Sequence, residues 1–595
     1  MSWCALAAVG GANVQSYGKH QFASHLQNHL QLHPELNAVL GFTASSKGYA
    51  LYYHDAAVIH RAKFGWEQPG PLYAFVQKLY ARSFQDFSMQ IRHPERPTWT
   101  TKVDDGIYIS RTPRALAGPG QRRYTTVARN SVRDGLVFIK DIWRGDHRLF
   151  IEGLLFDQAH EGNPLAGLML VHSHGYVLDK SQESIRTTHL LSDSADGRAS
   201  RRYKIRMLTK EIGRPLEQVR SLRQFLCVVY DACAVQRNLY RKCKILHRDI
   251  SEGNIMLAPD TDEYRRRCAE GYAEVKFMNQ VLAKDKGGTP KFIARSVSEG
   301  ELLGEEEYES RTVDMPPMEG PLADYAPFMH DTEYRILHGR SLPTHSELEF
   351  THRLFHDAES TFWVIAWTLV RSVREGPQPK EKPDRRFCEF FHVMHRHCPI
   401  PEDDDSLSNL CSKDEEKWKS VLHPQLSLLA PMLAQMYEYI RPGWAYRPEL
   451  DVEHVHEALM RLLLTEIVCI DASGQDIPII LGGRAIPPPV GMPPLPRSTR
   501  SSLSNNASRS HSFHSMQNLS SSVGGERAED TGSSKKQSRS QSAEPQTLDL
   551  SYAIRTLTMD PGDAAGHEPE ESLLPQLGEP ERPPEWESGA GELRE

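Results

Sequence analysis

The sequence predicts an α+β fold, and three observations carry that prediction. Short apolar runs broken by turn residues dominate the chain up to residue 209, among them Ala38–Thr43, Tyr49–Tyr53, Leu136–Lys140 and Ile205–Thr209, which is strand spacing. From Ser221 onward apolar residues recur at helical spacing instead, beginning with Leu222, Phe225, Leu226, Val229 and Cys233. Strands followed by helices give α+β rather than alternating architecture. Third, Lys244–Leu257 reads K-I-L-H-R-D-I-S-E-G-N-I-M-L, a polar loop (His247 to Asn254) set between Ile245-Leu246 and Ile255-Met256-Leu257. Apolar segments on both sides of a polar loop hold its carboxylate, Asp249, in a fixed place.

Composition bounds the rest. The 595 residues suffice for two to four domains. With 39% hydrophobic residues, a sizeable core requires that part of the chain be non-globular. A net charge of −8 gives no overall attraction to DNA or RNA. The nine Cys lack paired metal-ligand spacing and read as reduced thiols. Met1–Ala12 lacks the basic leader and apolar core of a signal peptide. Thr361–Val370 comes nearest to a membrane span and is too short. These features lead us to expect a soluble intracellular protein without a membrane partner, cytoplasmic or nuclear.

In chain order, residues 1–35 are polar and rich in His and Gln, and are expected to form a flexible N-terminus. A front module follows over 36–100. In it Ser45-Ser46-Lys47-Gly48 turns a hairpin, Ala57–Phe64 makes a third strand, and Leu72, Phe75, Val76, Leu79 and Tyr80 mark a helix whose aromatics are expected in the core. Over 101–212 strands return, with Tyr124–Ala128, Leu136–Lys140 and Ile205–Thr209 the clearest, and Glu152 falls in the next helical segment after Lys140. Ala117-Gly118-Pro119-Gly120 is glycine-rich, but Pro119 removes a backbone donor that a phosphate cradle would use.

Over 213–472 the pattern is mainly helical. Ser221 and Gln224 form a capping box that opens a long helix running into the polar loop. Glu274–Ala283 is strand-like, and Gly288-Thr289-Pro290-Lys291-Phe292-Ile293-Ala294 follows. His356-Asp357-Ala358-Glu359-Ser360 opens an apolar helix over Thr361–Val370, and further helical patterns lie at Phe387–Met394, Leu426–Ile440 and Val452–Ile470. On position alone, Asp357 is a helix-start acid serving the dipole. Residues 473–595 turn Pro-, Ser- and charge-rich and read as a disordered C-terminal tail, with Ser in basic context open to phosphorylation. Within it Leu550, Ile554 and Leu557 share one side of a short helix, a candidate docking segment for a protein partner.

The polar loop matches H-R-D-x-x-x-x-N, the catalytic loop of protein kinases. Together with V-F-I-K-D-I-W, E-I-G-R-P-L-E, G-T-P-K-F-I-A and H-D-A-E-S-T-F-W-V, in that order, it makes residues 36 to 470 resemble the fungal-type protein kinase family of mushroom-forming fungi. The resemblance implies a two-lobed protein-kinase-like fold, with a β-rich small lobe over 101–212 and a mainly helical large lobe over 213–472. It implies transfer of the ATP γ-phosphate to Ser/Thr of protein substrates, with Mg2+. Asp249 would be the catalytic base, Arg248 would help arrange the loop, and Asn254 would ligate Mg2+. Lys140 would hold ATP phosphates and Glu152 would orient it. Thr289 would lie in the protein-substrate stretch, and Asp357 would be a structural brace beneath the loop.

One departure stands out. Kinases carry a second metal-binding Asp between the catalytic loop and the substrate stretch. Here the only D-x-G in that interval is Asp285-Lys286-Gly287, four residues before Thr289. Such a link spans about 14 Å even when extended, too short to leave a metal site and return. The usual segment is therefore expected to be missing before Gly288, which would impair turnover. Three functions compete: a Ser/Thr protein kinase with impaired activity, a non-catalytic pseudokinase scaffold, and a small-molecule phosphotransferase of related fold. Arg248 and the Gly288-Thr289 stretch favour protein substrates over the third.

Overall fold

The structure, a computed structural model, describes residues 8–12, 18–81, 84–92, 97–111, 123–132, 135–145, 151–187, 201–259, 261–271, 291–299, 314–328, 350–377, 383–395, 414–441 and 450–488. All of them lie in one compact unit, Met1–Thr556. Mixed sheet and helix content makes it α+β, as expected.

The chain opens with β1 (Val9–Ala12), α1 (Gly18–Leu32), β2 (Ala38–Ser45), β3 (Gly48–Asp55) and β4 (Ile59–Phe64). These strands form a four-stranded sheet in the order β1-β2-β3-β4, with β1 parallel to β2 and the other pairs antiparallel. Gly48 closes the β2–β3 hairpin at φ +147°, where its would-be Cβ lies 2.3 Å from the Phe64 carbonyl oxygen. Phe22, Leu26 and Leu30 of α1 pack on Val9, Val39, Ala50 and Tyr52 of the sheet. The expected flexible N-terminus over residues 1–35 is thereby corrected for the described residues 8–12 and 18–35. The His/Gln-rich composition of α1 hid an i, i+4, i+8 apolar stripe that a sheet face buries.

Helix α2 (Pro69–Ala81) follows. The expectation that its aromatics are core residues holds for Phe75, which is buried and meets Phe42 edge-on at 6.1 Å. It fails for Tyr73 and Tyr80, which are 74% and 86% exposed. Only one side of the helix, through Leu72, Phe75 and Leu79, turns inward.

A seven-stranded antiparallel sheet comes next, in the order β10-β11-β9-β8-β7-β6-β5. Its strands are β5 (Met89–Ile91), β6 (Thr98–Val103), β7 (Gly106–Arg111), β8 (Arg123–Asn130), β9 (Leu136–Gly145), β10 (Val171–Tyr176) and β11 (Arg202–Thr209), with α3 (Glu152–His160) between β9 and β10. The expected boundary at residue 100 cuts β6 in half. The front region and this sheet are continuous through β5 and β6, short strands that carry few apolar residues and so left little periodicity to read.

Helices then take over: α4 (Leu222–Cys243), α5 (Asp262–Gly271), α6 (Arg295–Glu299), α7 (Leu354–Val370), α8 (Arg385–His395), α9 (Glu415–Val421), α10 (Ala430–Ile440) and α11 (His454–Ser473). The Ser221 hydroxyl caps α4 by accepting the Gln224 amide at 3.2 Å. The Gln224 side chain returns to the Arg220 amide (2.9 Å), one residue before the position that a capping box would use. Helix α7 is the centre of this part: every residue in it except Phe355 is buried. A helix apolar on all sides must be enclosed by neighbours. Phe362, Trp363 and Trp367 of α7 share a core with Phe387 and Phe390 of α8, Trp418 of α9 and Leu433 and Met436 of α10.

The described structure continues past residue 473, where the tail was expected to begin. Ile479–Ile480 pairs antiparallel with Val373–Arg374, and the Leu222 amide donates to the Ile477 carbonyl at 2.8 Å. Buried Arg484 donates to the carbonyls of Val370 (3.0 Å) and Val421 (2.6 Å) and stacks over Phe387. The apolar run I-P-I-I-L at 477–481 explains the correction, because it has a core to join. Residues 489–595, including Leu550, Ile554 and Leu557, lie outside the described residues.

Candidate active site

The site is assembled from one strand, two helices and one loop. On β9 the alternate residues Val137, Ile139, Asp141 and Trp143 are buried, while Phe138, Lys140 and Ile142 on the other face remain half-buried. Lys140 therefore stands on the less enclosed face. Its Nζ lies 2.6 Å from Oε1 of Glu152, the first residue of α3. An acidic residue in the first helical turn is favoured by the helix dipole, so Glu152 suits both its helix and its partner. Helix α3 is fixed in turn by the His174–Asp157 contact (2.7 Å) from β10 and by Lys242, which donates to the Ala159 carbonyl at 2.8 Å. Gly153 is required by close packing, since a Cβ there would fall 2.2 Å from the His174 ring.

Helix α4 delivers the loop. It ends at Lys244, in the left-handed conformation (φ +55°), whose amide bonds to the Tyr240 carbonyl at 2.8 Å. Ile250, Ile255 and Leu257 are buried and anchor the loop in the helical core. Arg214–Pro215 pairs with Met256–Leu257, which ties the loop exit to the segment after β11. Gly213 allows this approach: a Cβ there would lie 2.9 Å from the Leu257 carbonyl oxygen.

Within the loop, Asp357 of α7 acts on the backbone. Its Oδ2 accepts the His247 amide at 2.8 Å and its Oδ1 accepts the Arg248 amide at 2.9 Å. Arg248 has φ +64°, a conformation that few non-glycine residues adopt. Burial raises the Asp357 carboxyl above its ordinary value, while His247 and the two amides pull it down. The Asp249 amide donates to Nδ1 of His247 at 3.3 Å. Asn254 donates from Nδ2 to the Asp249 carbonyl at 2.7 Å, which leaves its Oδ1 as the oxygen for any outside ligand. The structure thus brings together Lys140 with Glu152, and Arg248, Asp249 and Asn254 with Asp357. Thr289 and Asp285 lie outside the described residues.

Two neighbours of Asp357 escaped the sequence reading. Glu359 Oε1 accepts the Arg295 amide (3.0 Å), the Arg295 Nε (2.9 Å) and the Trp363 indole (3.2 Å). The His356 Nε2 pairs with the Ser296 hydroxyl at 2.9 Å, and its Nδ1 accepts the Arg353 amide at 2.9 Å. Burial, with His352 and Arg353 nearby, holds His356 well below the ordinary imidazole range, so it is neutral. Both contacts anchor the chain that follows Lys291-Phe292-Ile293-Ala294 on the helix that also braces the loop. Glu359 lies two residues ahead of the apolar run Thr361–Val370, so its only signal was a charge at the start of an apolar helix, and such groups are buried only with partners.

Residues 112–369 match the family described as fungal protein kinase. Over that span the chain is similar to the fungal-type protein kinase family. No curated protein matches the chain significantly. The kinase match starts just after β7 and ends within α7, a narrower span than the 36 to 470 over which the sequence resembles the family. It takes in Lys140, Glu152, the Arg248–Asn254 loop and Asp357, and leaves β1–β7 with α1 and α2 outside.

The kinase family implies ATP and a divalent metal. An ammonium fixed by a carboxylate on the open face of β9 fits a nucleotide phosphate. For Mg2+, Asn254 Oδ1 offers one neutral oxygen, whereas Mg2+ commonly takes one or two carboxylates with phosphate and water. Among the described residues no group of three or more His, Cys, Asp or Glu could hold a metal.

Proposed function

We propose that the protein is a two-lobed protein kinase that transfers the ATP γ-phosphate to Ser/Thr of protein substrates, with turnover reduced by the missing Asp segment before Gly288. The β9-centred sheet with α3 would be the small lobe and the helices around α7 the large lobe. One observation carries the reading: the 2.6 Å Lys140–Glu152 pair is formed in the same molecule as an Asp249–Asn254 loop braced by Asp357.

When bound, ATP supplies the phosphoryl group and Mg2+ offsets the charge on its oxygens. Lys140 would hold the phosphates, oriented by Glu152, and Asn254 would hold Mg2+. The Asp249 carboxylate would accept the proton of the substrate hydroxyl as that oxygen attacks, with Arg248 helping to arrange the loop. Thr289 would lie along the bound protein substrate. We place the protein inside the cell, in cytoplasm or nucleus, without a nucleic-acid partner; no helix among the described residues is long and apolar enough to cross a membrane.

The short link from Asp285 to Thr289 favours a second reading, a pseudokinase scaffold that binds partners through its tail. Titration calorimetry of the full chain with ATP, with and without Mg2+, separates the two when radiolabelled autophosphorylation is run alongside. Metal-dependent binding with phosphate transfer that Asp249→Asn abolishes supports the kinase. An absence of both binding and transfer supports the scaffold.

A further inference from the structure

Behind the Lys140 strand lies a cluster of buried charges that joins it to the region outside the kinase match. Lys140 and Asp141 are consecutive on β9 and point to opposite faces of the sheet, as strand geometry requires. Asp141 is directly opposite Arg206 of β11 in the register, and Lys140 is opposite Met207. The Arg206 guanidinium grips Asp141 with two bonds of 2.7 Å, from Nε and Nη2. Its remaining donors reach out of the sheet: Nη1 to the Ser88 hydroxyl at 2.7 Å and Nη2 to Asp86 at 3.2 Å. Lys204, two residues earlier on the same face, bonds Asp86 at 2.5 Å and the Pro34 carbonyl at 3.2 Å.

These four charged side chains are 6% exposed or less. Burial alone would raise the Asp86 carboxyl, but Lys204 and Arg206 outweigh it and hold it well below the usual carboxylate range. Asp86 is ionised, and the cluster is two full ion pairs. The segment that bears it is itself fastened: the Asp86 amide donates to the Glu35 carbonyl at 2.7 Å, and Glu35 accepts the Trp99 indole at 2.7 Å. Arg202, further along β11, donates to the Ala56 carbonyl at 2.9 Å.

We infer that Arg206 is a positioning residue for Lys140, and that residues 34–88 are a working part of the nucleotide site. A planar fork fixes distance and angle at once. Its grip on Asp141 sets where β9 lies against β11, and its bonds to Ser88 and Asp86 set both strands against the front region. Lys140 is the next residue along, so its amine meets Glu152 only while that frame holds. A displacement of about 1 Å in such a group can cost on the order of 100-fold in rate. The inference deepens the proposed function and relies on it only for the nucleotide.

The test reads Lys140 directly. The full chain is treated with limiting acetic anhydride below its unfolding temperature, and acetylation of Lys140 relative to exposed Lys47 is measured by mass spectrometry. Arg206→Lys and Asp86→Asn are compared with Arg237→Lys, which breaks an equally buried pair with Glu457 between α4 and α11. Arg206→Lys keeps the charge and loses the fork, so loss of geometry is isolated. The expected result is a rise of about 2- to 5-fold in Lys140 labelling in the first two variants, the factor that corresponds to freeing a partly exposed ion pair, and none in Arg237→Lys. ATP affinity should fall in parallel, by about 10-fold. Equal labelling in all folded variants, or an equal rise in Arg237→Lys, overturns the inference. Should Arg206→Lys fail to fold, Ser88→Ala removes one bond of the fork and decides the same comparison. If the wild-type chain binds no ATP, the proposed function fails while the labelling still decides the positioning role.

Discussion

The Asp357 carboxylate accepts the backbone N–H of Arg248 at 2.9 Å across 109 residues of chain. That bond and its twin to His247 hold the loop in a left-handed turn at Arg248, a conformation that costs a non-glycine residue about 1–2 kcal/mol. Hydrogen bonds to an ionised group contribute about 1.5–3 kcal/mol each, enough to offset it. Asp357→Ala should therefore lower stability by about 3 kcal/mol or more and leave two amides unpaired. Urea denaturation checks this. A loss of under about 1 kcal/mol would mean that Ile250 and Ile255, not Asp357, fix the loop.

Glu152→Gln separates the nucleotide site from the fold. The Lys140 and Glu152 side chains are 22% and 38% exposed, so their pair should add at most about 1 kcal/mol to stability. The variant should melt near wild type yet bind ATP about 10-fold more weakly, because the amine loses the carboxylate that aims it. Thermal unfolding and calorimetry on one preparation give both numbers. Unchanged ATP affinity would remove Glu152 from the site.

How much of this could be read from the sequence follows from where the partners lie. The Arg248–Asn254 loop, the Lys140 strand and the α7 acid are local patterns at fixed offsets, and each stands on the element that its periodicity implied. The ion pairs are different in kind. Asp86 meets Lys204 and Arg206 over 118 and 120 residues, and Arg295 meets Glu359 over 64. Single-chain periodicity says nothing about contacts at such separations. Helix α1 was missed because the polar residues between Phe22, Leu26 and Leu30, most of them half-buried and His29 fully buried, mask a three-residue apolar stripe. The opposite error occurred at Tyr80, where helical spacing of a large side chain was taken to mean burial.

Acid should weaken the fold before any carboxylate of ordinary strength is protonated. Burial, with Arg237 nearby, lowers His456 to about 3, and His456 hydrogen-bonds Gln236 Oε1 at 2.9 Å in its neutral form. His356 is lowered as well. Below pH 6.5 the unfolded chain takes up a proton at each position and the folded chain does not. Stability is then complete above about pH 6.5 and falls by about 1.4 kcal/mol per pH unit for each histidine as pH drops toward the folded value. His456→Gln should remove one such contribution, so its stability should lose about 1.4 kcal/mol less than wild type between pH 6 and pH 5. Parallel urea curves at pH 7, 6 and 5 measure this, and equal slopes would mean that His456 titrates normally.

The last expectation concerns Arg295 and Glu359, joined at 2.9 Å with both side chains under a tenth exposed. Removing one member strands the other charge inside the core, and such changes cost about 3–5 kcal/mol. Glu359→Gln preserves an oxygen for the Arg295 amide and the Trp363 indole and discards only the charge, so its cost measures the ion pair more cleanly than truncation. Arg295 also donates to the carbonyls of Ile440 (2.6 Å) and Arg441 (3.2 Å), which Glu359→Gln leaves intact. A double-mutant cycle of Glu359→Gln with Arg295→Met should return a coupling of about 1–3 kcal/mol. Coupling near zero would assign the anchoring of residues 291–299 to those two carbonyls alone. With the coupling present, helix α7 holds both the Arg248–Asn254 loop and the segment after Thr289, and either single variant should raise the KM for a peptide substrate.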